Sequence, residues 1–255
     1  MLLSLSAWMT ATAVGPDLQA RWGLTAGQVG WLTTTVQLGF VAGTALAALL
    51  NLADVVPARG LFAASAALAA LVNALLLVTP GYAPALAVRF LTGMFLAGVY
   101  PPGMKMISTW FRSGRGLAIG TVVGALTVGK ALPYLLKAIG GTGLAPVVLG
   151  ASGAGLVAAL LVAYAYRDGP YPFASRPFEW SRVGRILRHR ETMLATGGYL
   201  GHMWELYAMW TWVPVFLAVA AGAGATDRVV DLAAFGTIAA GGLGCVWGGL
   251  AADRI

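Results

Sequence analysis

At 255 residues, with 59% hydrophobic and only 10% charged side chains, the chain lacks the polar surface that a water-soluble domain needs; such domains carry about 25% charged residues. Its one cysteine, Cys245, lies in an apolar run and reads as a packing residue, which excludes a disulfide framework and a cysteine-based zinc site. The net charge of +7 would suggest nucleic acid only if it formed one basic face on a soluble domain, and the charges are not placed that way.

A membrane-spanning helix needs about 20 mostly apolar residues. Eight candidates follow in order: 1–15, 26–49, 60–80, 83–104, 116–138, 145–166, 193–218 and 229–250. The runs are long and do not alternate apolar with polar, so an all-α membrane protein is expected rather than a barrel. The first candidate has about fourteen residues before Gly15-Pro16. With no basic start and no small-residue cleavage motif, it is not a signal peptide and reads as a helix lacking its first turns.

Ionisable residues at membrane depth are costly and are functional candidates by default. Span four carries Arg89, which is either functional or snorkels to the headgroups. Span five carries Lys130 beside Gly129, a point of easy helix approach; Lys130 either serves a substrate, snorkels, or pairs with Glu205. The GASGAG stretch at 150–155 lies in an apolar run without a preceding strand, so it is a packing feature and not a dinucleotide loop.

The one long polar connection is 167–192: a Pro-rich first half, then a segment from Ser181 with Val183, Ile186 and Leu187 opposite Arg182, Arg185 and Arg188. It is either an amphipathic helix on the inner leaflet or a plain basic loop. Span seven follows with GHMWELYAMWTW. Glu205 lies near mid-depth, and His202 is one turn away on the same face. They form either a proton-coupling or substrate-binding pair, or a hydrogen-bonded lock on a neighbouring helix. The aromatic residues of this span are mostly interface anchors and packing, and some line a cavity.

With the N-terminus cytoplasmic, eleven Lys and Arg fall in inner loops and only Arg21, Lys137 and Arg228 in outer ones, the bias expected of a cell-membrane protein. The first two spans also recur. Pro16 and Pro214 each close a span, and Asp54 and Asp253 follow after 38 and 39 residues. Two spans repeating after six match a parallel repeat of six-helix halves.

Several short stretches resemble the motifs of the major facilitator superfamily of transporters. Gly249, Asp253 and Arg254 match the opening of its G-x-x-x-D-R-x-G-R-R loop, and Asp54 and Arg59 match a degenerate first copy. Arg89 and Gly93 in RFLTG resemble its R-x-x-x-G motif, Gly120, Gly124, Gly129 and Pro133 its glycine- and proline-rich span, and WFRSGRGLAIG the loop entering that span. The resemblance implies a major facilitator fold: a six-helix half at 1–166, a cytoplasmic linker at 167–192, and at 193–255 the first two helices of a second half. Set against twelve family spans, it implies a chain cut at both ends.

The resemblance also implies a role in coupling or gating for Arg89, and in latching the inner side for the loop residues Asp54, Arg59, Asp253 and Arg254. The expected function is secondary transport of a small solute by rocking of the halves around a midplane site, with proton coupling through Glu205 as a further expectation. Two cations and one acid would favour an anionic solute. The alternatives are a transport-inactive fragment of such a protein and, behind it, a receptor or scaffold. No metal-ligand spacing, catalytic triad or phosphate loop occurs, so neither an enzyme nor a cofactor is expected; the expected partners are the solute, protons and the bilayer, with no nucleic acid.

Overall fold

The computed structural model describes residues 1–140, 143–171, 180–222 and 225–254, without the side chains of 53 and 180–182. Among these residues the regular elements are all helical. A 3-10 turn at Ser4–Ala7 is followed by α1 (Thr10–Ala13), α2 (Gly15–Trp22), α3 (Ala26–Leu49), α4 (Leu52–Val55) and α5 (Ala58–Ala74), which runs into a second 3-10 turn at Leu75–Leu77. Then come α6 (Tyr82–Leu96), α7 (Tyr100–Ser108), α8 (Arg115–Gly140), α9 (Leu144–Ala165), α10 (Trp180–Arg188), α11 (Arg190–Ala221) and α12 (Asp227–Ala252).

Among the described residues seven stretches are long and apolar enough to cross a membrane, corresponding to all the expected spans except the first. The N-terminal segment is not one helix. Its hydroxyls compete with the helical ladder: Thr10 Oγ1 donates to the Ser6 carbonyl at 3.1 Å, and Ser6 Oγ reaches the Ala151 carbonyl at 3.0 Å. This broken segment is nevertheless the centre of the bundle, with Leu5, Met9, Val14 and Leu18 fully buried.

The prolines of the repeat do not close spans. Pro16 lies in the first turn of α2, where its missing N–H costs nothing, and α2 ends at Gly23, whose φ of 64° suits glycine. Pro214 lies inside α11, which continues to Ala221. Pro101 and Pro102 restart the fourth span as α7 after a break at 97–99.

Glycine sets the closest helix approaches. On α8, Gly116, Gly120 and Gly124 face Gly249, Cys245 and Gly242 of α12; a Cβ at Gly124 would meet the Gly242 carbonyl oxygen at 2.7 Å. Gly39 of α3 lies on the Phe90 backbone of α6, and Gly93 on that of Val36. Such seams suit membrane helices, where association depends on close packing. By contrast α11 buries only Trp210.

The polar segment before α11 does form a helix, α10, with Arg185, Ile186, Leu187 and Arg188 all exposed. The Pro-rich half of the expected linker lies mostly outside the described residues.

Candidate functional site

Between the N-terminal segment, α8, α11 and α12 lies a cavity of about 500 Å³. Its wall is mostly apolar: Leu5, Phe40, Leu126, Met203, Leu206 and Ile238 contribute. A second cavity of about 600 Å³ continues along the same three long helices toward their opposite ends, lined by Tyr134 and Lys137 of α8, Thr211 to Val219 of α11, and Asp227 to Asp231 of α12.

Lys130 lines the first cavity, about one helical turn before Tyr134 of the second. It is 3% exposed, and its ammonium is held by three aromatic faces: 4.0 Å from the ring centre of Trp8, 4.6 Å from Tyr207 and 4.4 Å from Trp210. It also donates to the Tyr207 hydroxyl oxygen at 3.0 Å. Trp8 and Tyr207 stack with centroids 5.9 Å apart, and Trp210 meets Tyr207 edge-on at 5.3 Å. Lys130 therefore neither snorkels nor pairs with Glu205. Gly129 permits the arrangement by lying against the Leu2 backbone, which brings the N-terminal segment onto α8.

Arg89 does not snorkel either. It is fully buried, and its guanidinium donates to the carbonyls of Ala7 (3.1 Å) and Trp8 and to Asn73 Oδ1 (2.9 Å). These carbonyls sit at the break in the N-terminal segment. In hydrocarbon a backbone acceptor released by a broken helix must find a donor within the protein, and Arg89 supplies it. Asn73 passes the network on, its Nδ2 donating to Ser152 Oγ of α9 at 3.0 Å.

The two candidates on α11 separate. His202 lines the first cavity, whereas Glu205 is exposed and is not part of the cavity wall. Sequence depth located it at mid-span; its rotation about the helix axis, set by which face packs, turns it away.

The loop candidates lie at the arginine-rich end of the bundle. Asp54 pairs with Lys105 at 2.9 Å, joining α4 to α7. Asp253 accepts from the amides of Gly116 (2.7 Å) and Leu117 (2.8 Å), so it caps the first turn of α8. Arg59 and Arg254 are exposed. At the opposite end, Lys137 of α8 and Asp231 of α12 approach to 3.7 Å with nearly buried side chains.

Trp8, Asn73, Lys105 and Asp231 were not singled out from the sequence. Asn73 and Asp231 carried a usable signal, a polar group inside an apolar run; Trp8 carried none, since its role depends on a residue in another span. Among the described residues, no three His, Cys, Asp or Glu side chains gather to hold a metal ion.

Comparison with curated proteins gives no match. The family model described as the Major Facilitator Superfamily matches residues 1–255, and with its bundle of long apolar helices the chain belongs to that superfamily of membrane transporters.

Proposed function

We propose that the chain moves a small solute across the bilayer by alternating access, with the two end-to-end cavities as the two halves of the path. The observation that carries this reading is the layer of Trp8, Lys130, Tyr207 and Trp210 on the wall of the first cavity, next along α8 and α11 to Tyr134 and Thr211 of the second. It draws on the N-terminal segment, α8 and α11, so sliding of α11 against α8 would open the layer. The contacts at the two ends of the α8–α12 pair, Asp253 with α8 and Lys137 with Asp231, would make and break with the same motion.

Cys245, the chain's one cysteine, lines the first cavity and is a built-in reporter. The test is counterflow of a panel of labelled solutes in proteoliposomes, before and after reaction of Cys245 with a bulky thiol reagent. The expected result is flux of at least one solute, blocked by the reagent and insensitive to it in the Cys245→Ser variant. Flux that ignores modification of Cys245 would reject the cavity as the path.

One observation favours a second reading, in which this chain alone does not transport. The face of α11 that carries Glu205 also exposes Trp204 (79%), and no described helix covers it. A mid-span carboxylate on an uncovered face is costly in hydrocarbon. Absence of flux for every solute in the same assay would favour that reading.

A further inference from the structure

Resting on the reading of the first cavity as the solute site, we infer that its solute is a small organic monoanion, with its acidic group on Lys130 and its apolar body among the aromatic and aliphatic side chains.

The cavity wall contains Lys130 and His202 but no Asp or Glu. Of the other charged groups near mid-depth, Arg89 is committed to two carbonyls and Asn73, and Glu205 faces away. The ion pairs Asp54–Lys105 and Lys137–Asp231 both lie outside this cavity. Lys130 is thus the one fixed cation of the wall, and its contacts are neutral.

A buried ammonium is compensated most fully by an opposite charge, and none of the groups around Lys130, three aromatic faces and the Tyr207 hydroxyl, carries one. An anion at Lys130 supplies the missing compensation. A cationic solute would meet Lys130 with no acid to offset the repulsion.

The hydrogen-bonding balance points the same way. The indole N–H groups of Trp8 and Trp210, both residues of the wall, are buried without an acceptor among the described residues. Tyr207 accepts from Lys130 and so keeps its own hydrogen to donate. Tyr100 and Tyr199 are also residues of the wall and add hydroxyls. A site rich in donors and poor in acceptors suits an oxyanion. With one fixed cation and a largely apolar wall, a single acidic group on an apolar body fits better than a dianion.

The test is binding to the purified full chain, read as ligand-induced thermal stabilisation and by calorimetry. Benzoate is compared with benzamide, benzylamine and terephthalate, which keep the ring and vary the charge of the polar groups on it. Benzoate should bind on the order of tenfold or more tightly than each of the others, the range of a hydrogen bond to a charged group. Lys130→Met should remove that preference and Lys130→Arg retain it. Equal binding of benzamide or benzylamine, no binding of benzoate, or an unchanged preference in Lys130→Met each overturns the inference. If Lys130→Met does not fold, the charge series on the unaltered chain still decides. Binding is read without transport: selective benzoate binding without flux would count against the transport reading alone, and flux without charge preference against this inference alone.

Discussion

Arg89 and Trp8 are joined across 81 positions of sequence, the guanidinium donating to the tryptophan carbonyl. The ring of the same tryptophan lies 4.0 Å from the Lys130 ammonium. The backbone of residue 8 is therefore held by one buried cation while its side chain holds another. Arg89 does not line the cavity; its contact with it runs through Trp8, which does.

The first prediction follows from the fork geometry of that contact. Arg89 spans two carbonyls and an amide oxygen at once, which a point-like ammonium cannot do from the same position. Arg89→Lys should lose at least one charge-assisted bond, about 1.5–3 kcal/mol of stability, and weaken benzoate binding as Trp8 shifts. Thermal unfolding in detergent and calorimetry check both effects. A lysine variant equal to the parent in both would show that the break at residues 7–8 does not depend on the guanidinium.

The second concerns Asp253, whose two oxygens each take one amide at the start of α8. Asp253→Asn would turn an amide NH₂ toward one of those N–H groups, and Asp253→Ala would leave both without this acceptor. Loss of such a cap costs roughly 0.5–2 kcal/mol, and it should appear locally. Hydrogen exchange at Gly116 and Leu117 should accelerate in both variants while the middle of α9 is unchanged. Unaltered exchange at those two amides would mean that Asp253 does not hold the arginine-rich end of the α8–α12 pair.

Much of this arrangement was legible in the sequence, because hydrocarbon allows few solutions. Apolar run length placed α3, α9 and α12 within a few residues. The short distance between the glycines of 116–129 and 241–249 in three dimensions was not visible, but their character as packing notches was. Position along a helix was also readable for Lys130 and Glu205. Rotation was not: Lys130 turns inward and Glu205 outward, and the contacts that decide this come from other spans, Tyr207 lying 77 positions from Lys130. The prolines misled for a related reason. Pro16 and Pro214 look like stops in isolation, yet a first-turn position tolerates one, and a membrane helix the other.

The glycine seam gives a third prediction with its own control. A methyl group at Gly120 would press on the Cys245 carbonyl and the Gly249 backbone, neither of which is a flexible side chain. Gly153 of α9, in the same kind of apolar helix, has nothing within 4 Å of the added carbon. Gly120→Ala should therefore destabilise by roughly 1–3 kcal/mol through overpacking, while Gly153→Ala should be neutral or gain up to about 1 kcal/mol from helix propensity. Thermal unfolding midpoints of the two variants should move in opposite directions or only the first should fall. Equal shifts would refute the close approach of α8 and α12.

The last prediction tests the far end of the same helix pair. Lys137 and Asp231 stand 3.7 Å apart, with side chains only 13% and 10% exposed. Removing one partner of such a pair leaves the other nearly buried without it, so single variants lose more than the pair itself contributes. Lys137→Met and Asp231→Leu should each destabilise, and the double variant should recover part of the loss. A coupling of roughly 0.5–3 kcal/mol is expected for residues in direct contact, measured as a double-mutant cycle of unfolding free energies. Its size also bears on mechanism. A latch that opens in every transport cycle must be worth little enough to break, so the double variant should keep solute flux while changing its rate. A coupling near zero would leave α8 and α12 held by their glycine seam and Asp253 alone, and the second cavity would then have no latch of its own.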